Sequence, residues 1–243
     1  MCREGEGKTV LIWNEETVRY LRDASEWGDY YARLASWIRP HLHRTDHLCD
    51  AGCGLGYLSL ELSNYVNLID AIDESEFPLK VLREKAKKRG NIQIINDNIF
   101  SFTDDTIYDA MVFSFFGKME DIAKIAKTRC RGTVFVLKRN YVNHRFSVGT
   151  CAAGSDSFAN AVNWLRENDV PFVSDTLSLE MGQPLHSPAD ARRFFSIYDQ
   201  SDGEITDSFL RSRLIETGRS DFPLYLPQER QVGCLRFQTA DLS

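Results

Sequence analysis

The residues Asp50-Ala51-Gly52-Cys53-Gly54-Leu55-Gly56 carry the densest chemical pattern in this 243-residue chain. Glycines at alternate positions let a backbone turn tightly and approach a ligand with no side chain between. His47-Leu48-Cys49-Asp50 reads as a strand entering the turn. The residues from about Leu55 to Asn64 read as a helix leaving it, whose first N–H groups can face a negatively charged group. Asp73 stands 23 residues beyond Asp50, at the end of a second strand spanning Asn67 to Asp73. An acid at that place can accept from both hydroxyls of an adenosine ribose.

Two ligand classes use such a layout. A dinucleotide pyrophosphate favours Gly-x-Gly-x-x-Gly, but the sixth position counted from Gly52 is Tyr57. An acid two residues before the first glycine would also repel a pyrophosphate. It suits a ligand that carries an ammonium and a sulfonium.

On these residues the segment 45–138 resembles a class I S-adenosyl-L-methionine-dependent methyltransferase. The resemblance implies that Asp50 orients the methionine end, directly or through water. It implies that Gly52 and Gly54 pass beneath the cofactor, with Cys53 and Gly56 in the same turn, and that Asp73 takes the ribose hydroxyls. Asp97-Asn98-Ile99 matches the adenine-reading stretch: Asp97 would accept from the amino group, and the Asn98 backbone N–H would meet a ring nitrogen. Tyr108-Asp109-Ala110-Met111-Val112 matches the fourth strand, which puts Ser114 and Phe115 at its cofactor-facing end. N-terminal helices commonly close the cofactor in that family, so Trp27, Tyr30 and Tyr31 are candidates for contact, with simple packing as the alternative.

The elements that must position these residues follow from periodicity. Tyr30, Leu34, Ala35 and Ile38 share a helical face, and Pro40 follows as a stop. After residue 45, strand and helix alternate: Pro78 to Arg89 as a basic helix, Ile92 to Ile95 as a strand, Ala110 to Phe115 as a strand buried on both faces. A helix from about Glu120 to Lys127, a strand from Thr133 to Leu137, a helix carrying Phe158, Val162 and Leu165, and strands at Pro171 to Leu179 and Val232 to Gln238 complete the scheme. Alternation of this kind specifies a doubly wound α/β fold with helices on both faces of a mostly parallel sheet. By the resemblance the sheet has seven strands in the order 3-2-1-4-5-7-6, the seventh antiparallel. The expected organisation is a helical cap over 1–44, a cofactor-binding core over 45–181 and 231–243, and an inserted helical lid over 182–230 roofing the acceptor site.

Composition narrows the function classes. With 43% apolar and 26% charged residues the chain reads as globular, and 29 basic against 35 acidic residues give a net charge of −6. That balance offers no global attraction to nucleic acid or anionic lipid, so neither partner is expected. No stretch approaches the apolar length of a membrane span, and the N-terminus shows no signal segment. Six scattered cysteines without a Cys-x-x-Cys pair predict reduced thiols in the cytoplasm. Neither Cys49 with Cys53 nor His41, His43 and His47 form a convincing ligand set, so no metal is expected.

The acceptor is less legible. His144 and His186 follow the fifth and sixth strands and are candidates for a general base, against the reading of ordinary surface histidines. Lys138, Arg139, His144, Arg145, Arg192 and Arg193 would point to an anionic acceptor if they converged, against the favoured reading of a solvated loop. Phe194, Phe195 and Tyr198 line a pocket or dock the insertion, docking being favoured. The run Phe113-Ser114-Phe115-Phe116-Gly117 lacks the Asn-Pro-Pro-Tyr type of motif seen in methyltransferases that modify amino groups of adenine, cytosine or glutamine. The expectation is therefore a methyltransferase that moves a methyl group by in-line displacement to a small molecule, an anionic one if those basic residues converge, leaving S-adenosyl-L-homocysteine. A protein or RNA acceptor, a NAD-dependent oxidoreductase and a silent binding protein are the alternatives.

Overall fold

Asn14 opens the first helix, α1 (Glu15–Trp27), by accepting from the N–H groups of Glu16 and Thr17 at 3.0 Å each, while the Thr17 hydroxyl accepts from Asn14 N–H. This reciprocal cap satisfies donors that a helix start leaves open. In this computed structural model, residues 13–141, 146–149, 157–199, 201 and 203–242 are described. Gly28 interrupts the helix, and α2 (Tyr30–Ile38) follows, ending in a 3-10 turn at Arg39–His41 that contains Pro40. Tyr30, Leu34, Ala35 and Ile38, which share one face, are all buried.

The core then alternates as β1 (His47–Ala51), α3 (Tyr57–Leu62), β2 (Leu68–Asp73), α4 (Glu76–Ala86), β3 (Ile92–Asn96), β4 (Tyr108–Ser114), α5 (Met119–Arg129) and β5 (Cys130–Arg139). After it come α6 (Phe158–Glu167), β6 (Val173–Glu180), β7 (Gln183–Leu185), α7 (Pro188–Tyr198), α8 (Asp207–Arg213), β8 (Ile215–Glu216), β9 (Leu224–Leu226) and β10 (Glu229–Gln238). Seven strands form one sheet in the order β3-β2-β1-β4-β5-β10-β6. Strand β10 runs antiparallel to both of its neighbours, and the other pairings in that sheet are parallel. With β10 as seventh strand of this sheet, the order is the expected 3-2-1-4-5-7-6.

One face of the sheet packs Leu48, Ala71, Val112 and Leu137 against α2, α3 and α4; the other packs Cys49, Met111 and Val136 against α5 and α6. Central strands sealed on both faces read as near-continuous apolar runs, which is why β4 was visible in the sequence.

The segment between β6 and β10 departs from the expected all-helical insertion. Besides α7 and α8 it carries a second, three-stranded antiparallel sheet, β7-β9-β8. These strands are two or three residues long, and prolines sit at 184, 223 and 227. Pieces so short show no alternation to read. The insertion owns a core of Leu185, Ala191, Phe194, Phe195, Leu210 and Leu226, closed by Tyr20 of α1. Phe194 and Phe195 therefore dock the insertion onto α1.

Candidate functional site

The parallel strands β1, β2 and β4 deliver their carboxyl ends to one edge, and the glycine turn lies there. Gly52, Gly54 and Gly56 adopt φ of +70°, +54° and +72°, a left-handed region that other residues enter at a cost. The N–H groups of Gly52 and Cys53 both donate to the Ile72 carbonyl, at 2.8 and 3.0 Å, which pins the turn to β2. A Cβ on Gly52 would lie 2.3 Å from the Phe116 ring, and one on Gly56 would lie 2.4 Å from Leu82. These two glycines thus serve close packing, and Phe116 fills the Cβ side of Gly52.

Asp73 ends β2 and ties the turn together. One carboxylate oxygen accepts from Gly54 N–H and the other from Ser75 N–H, each at 2.9 Å. Burial raises its pKa, and the two N–H bonds pull the other way. Each oxygen retains a further lone pair for a ligand hydroxyl.

Asp50 is sealed at the foot of the turn. The Ser59 hydroxyl of α3 donates to Oδ2, whereas Oδ1 is buried with no hydrogen-bond partner among the described residues. Burial pushes its pKa up to about 6. A carboxylate oxygen left unpaired inside a protein is costly, and a ligand ammonium or a water would relieve it. This arrangement fits the amino-acid end of S-adenosylmethionine; it does not suit a pyrophosphate.

The predicted adenine-reading turn is partly self-satisfied. Asp97 accepts from Asn98 N–H at 2.7 Å, Asn98 Oδ1 accepts from Phe100 N–H at 2.9 Å, and Asn98 Nδ2 donates to Glu74 at 2.9 Å. The Asn98 N–H that the resemblance assigns to a ring nitrogen is thus directed at Asp97 in this structure. At the end of β4, Ser114 is half-buried and Phe115 sits at φ +56° with its ring exposed. Lys138 of β5 is 1% exposed and donates to the carbonyls of Phe116 and Gly117, holding the turn that follows Phe115.

Of the N-terminal aromatics, Tyr31 stacks on Tyr57 at the start of α3, with ring centroids 5.5 Å apart. Tyr30, the first residue of α2, is buried in the core. Trp27 faces the insertion, stacked on Tyr225 at 5.1 Å and edge-on to Phe222. Trp13 was not anticipated, yet its ring lies 3.6 Å from the Cβ position of Gly54. A single aromatic ahead of α1 carries no periodic signal, so the sequence could not single it out.

The acceptor candidates are dispersed. His144 and Arg145 lie outside the described residues. His186 donates from Nδ1 to the Asp221 carbonyl at 2.7 Å, stacks on Phe222, and holds Nε2 3.9 Å from Asp23. Arg192 is taken by Asp207 and the Ile205 carbonyl, and Arg193 by Glu16 of α1 through two bonds of 2.7 Å. The two insertion arginines therefore latch structure together and do not converge with Lys138. A cavity of about 330 Å³ opens between the α1–α2 junction and the insertion, lined by Trp27, Asp29, Glu180, Met181 and Tyr225 among others. At the opposite edge His41 and His43 line a separate polar recess with Asp109 and Arg131. No group of three or more potential ligands is placed to hold a metal among the described residues.

No protein-family model matches the sequence, and no curated protein matches it either. Solved structures do. A Bacillus halodurans protein provisionally described as a methyltransferase superposes with a TM-score of 0.54 at 12% identity, over 87% of this chain and 99% of that one. Precorrin-6y C5,15-methyltransferase of Geobacter metallireducens gives 0.51 at 14% identity, over 85% and 87%. Precorrin-8w decarboxylase of Methanobacterium thermoautotrophicum gives 0.51 at 16%, over 84% and 89%. The chain has the class I, Rossmann-like methyltransferase fold. No helix among the described residues is long and apolar enough to cross a membrane.

Proposed function

We propose that this chain is an S-adenosylmethionine-dependent methyltransferase with a small-molecule acceptor. The observation that carries the reading is the buried, unpartnered Oδ1 of Asp50 beneath a glycine turn that Asp73 rims. Asp50 would hold the ammonium of the methionine end, and Asp73 the ribose hydroxyls, using lone pairs not spent on Gly54 and Ser75. Tyr31, Trp13 and the Asp97-Asn98 turn would flank the adenosyl group. When bound, the cofactor supplies a methyl group activated by its sulfonium.

The chain's own contribution is placement. Such positioning of an acceptor in line with the bond to be broken is worth on the order of 7–11 kcal/mol. The turn after β4 presents Phe115 at the strand edge, and Lys138 fixes that turn. The insertion is anchored on α1 by Arg193–Glu16 and Arg19–Asp190, which supports its role as a roof. The cavity beneath it, about 330 Å³, lies in the range of small-molecule sites. His186 spends Nδ1 on the Asp221 carbonyl, while its Nε2 lies 3.9 Å from Asp23 without a hydrogen bond; an acceptor that already lacks its proton would need no base. Cys49, Cys53, Cys130 and Cys234 are free thiols, in keeping with a cytoplasmic enzyme.

Thermal unfolding tests the reading, because a ligand of the folded state raises the melting temperature. S-adenosylhomocysteine should stabilise the protein and NADH should not; the reverse pattern would make it a dinucleotide enzyme.

A further inference from the structure

Arg230 stands apart from the other arginines at the functional edge. Arg19, Arg192, Arg193 and Arg219 each hold a carboxylate. Arg230 is half-buried, and no carboxylate lies within ion-pair distance of it among the described residues. Its Nε is buried with no hydrogen-bond partner. The guanidinium faces the Tyr30 ring, 5.5 Å from its centroid, which favours the charge but leaves the N–H unbonded. A guanidinium cannot shed its proton in a protein, so the group calls for an acceptor of hydrogen bonds, from a water or a ligand.

The topology places Arg230 where such a ligand matters. Strand β10 runs against β5, and Val232 pairs with Arg139 at the end of that strand. Arg230, two residues earlier in β10, therefore reaches the edge where β1 delivers Asp50. Val232 and Cys234 belong to the core on the α2 side; by the alternation of a strand, Arg230 shares their face. Its charge acts on Tyr31, Tyr198 and Tyr225, and Tyr31 also feels Asp50. Tyr31 is thus acted on by both charges, and Tyr225 lines the cavity under the insertion.

Resting on the methyltransferase reading, we propose that Arg230 is the receptor for a carboxylate on the methyl acceptor, so that the substrate is a small carboxylic acid. The planar fork of a guanidinium matches a carboxylate through paired N–H bonds. Arg230, which no motif marked, would thus take the anion that Lys138, Arg192 and Arg193 could have received only by converging.

Calorimetric titration with acetate, benzoate and neutral benzamide tests this, on protein with and without saturating S-adenosylhomocysteine. Arg230→Met and Arg230→Lys are the variants. At least one carboxylate should bind the wild-type protein, with benzamide at least about tenfold weaker than benzoate. Arg230→Met should lose roughly tenfold in carboxylate affinity, and Arg230→Lys should keep most of it. Affinities for S-adenosylhomocysteine and 5′-methylthioadenosine should be unchanged. Melting of Arg230→Met should be no lower than wild type, because an unsatisfied buried group has been removed; a marked drop would make Arg230 a structural residue. Failure of both carboxylates to bind, or equal binding by Arg230→Met, would overturn the proposal. So would a loss of S-adenosylhomocysteine but not 5′-methylthioadenosine affinity in that variant, since the carboxylate received would then be the cofactor's own. If the wild-type protein binds carboxylates through Arg230 but not S-adenosylhomocysteine, the methyltransferase reading fails and the anion site stands.

Discussion

Asp73 accepts the backbone N–H of Gly54 at 2.9 Å, so the carboxylate at the end of β2 is a structural clamp on the turn after β1. The residue that would read the ribose also shapes the glycine turn. Asp73→Ala should weaken S-adenosylhomocysteine binding by roughly 1.5–3 kcal/mol, the worth of hydrogen bonds to a charged group. Asp73→Asn keeps one acceptor and should lose less. Calorimetry on both variants checks the order, and equal affinities would remove Asp73 from the site.

Asp50 gives a pH signature whose sign follows from its burial. Its pKa is raised from an ordinary 3.8 to about 6, so the folded chain holds this proton more tightly than the unfolded chain. The ligand-free protein should therefore lose stability from this group as pH rises from about 4 to about 6, by roughly 3 kcal/mol across the window. Asp50→Asn should abolish that slope and leave the free protein more stable at pH 7. A ligand ammonium favours the charged form, so S-adenosylhomocysteine affinity in the wild type should fall as pH drops below about 6. Chemical denaturation across pH, paired with binding curves, checks both signs.

The packing of Gly52 is testable without any ligand. Its Cβ position lies 2.3 Å from the Phe116 ring, at a φ of +70°. Gly52→Ala should destabilise the fold by about 1–3 kcal/mol, the range for overpacking. Phe116→Leu should recover part of that loss, giving a coupling energy in a double-mutant cycle. Simple additivity would mean that backbone strain alone sets the cost.

The docking of the insertion on α1 rests on buried aromatic surface. Phe195 is fully buried and Tyr20 donates to the Asp190 carboxylate at 2.8 Å. Phe195→Ala should cost about 3–5 kcal/mol, and Tyr20→Phe about 0.5–1.5 kcal/mol. Proteolysis of the insertion should quicken in both, more so for Phe195→Ala; unchanged digestion would mean that the insertion is held elsewhere.

The sheet was legible because its central strands β1, β4 and β5 are largely buried on both faces and its turn is marked by glycines and acids at fixed spacing. Asp73 is bonded to Gly54, and Asp50 lies at the foot of the same turn, bonded to Ser59. What escaped lacks a periodic signal. The strands β7, β8 and β9 are too short to alternate, Trp13 is a lone aromatic, and Arg230 differs from Arg192 and Arg193 only in what surrounds it. Charge in a sequence tells nothing of pairing: Glu16 claims Arg193 across 177 residues.

A crystal structure with S-adenosylhomocysteine tests the central claim most directly. The account predicts the ligand's ammonium at Asp50 Oδ1, directly or through one water, and its ribose hydroxyls on Asp73. An adenosyl group lodged away from the glycine turn, or an Asp50 oxygen still unpartnered with ligand bound, would contradict it.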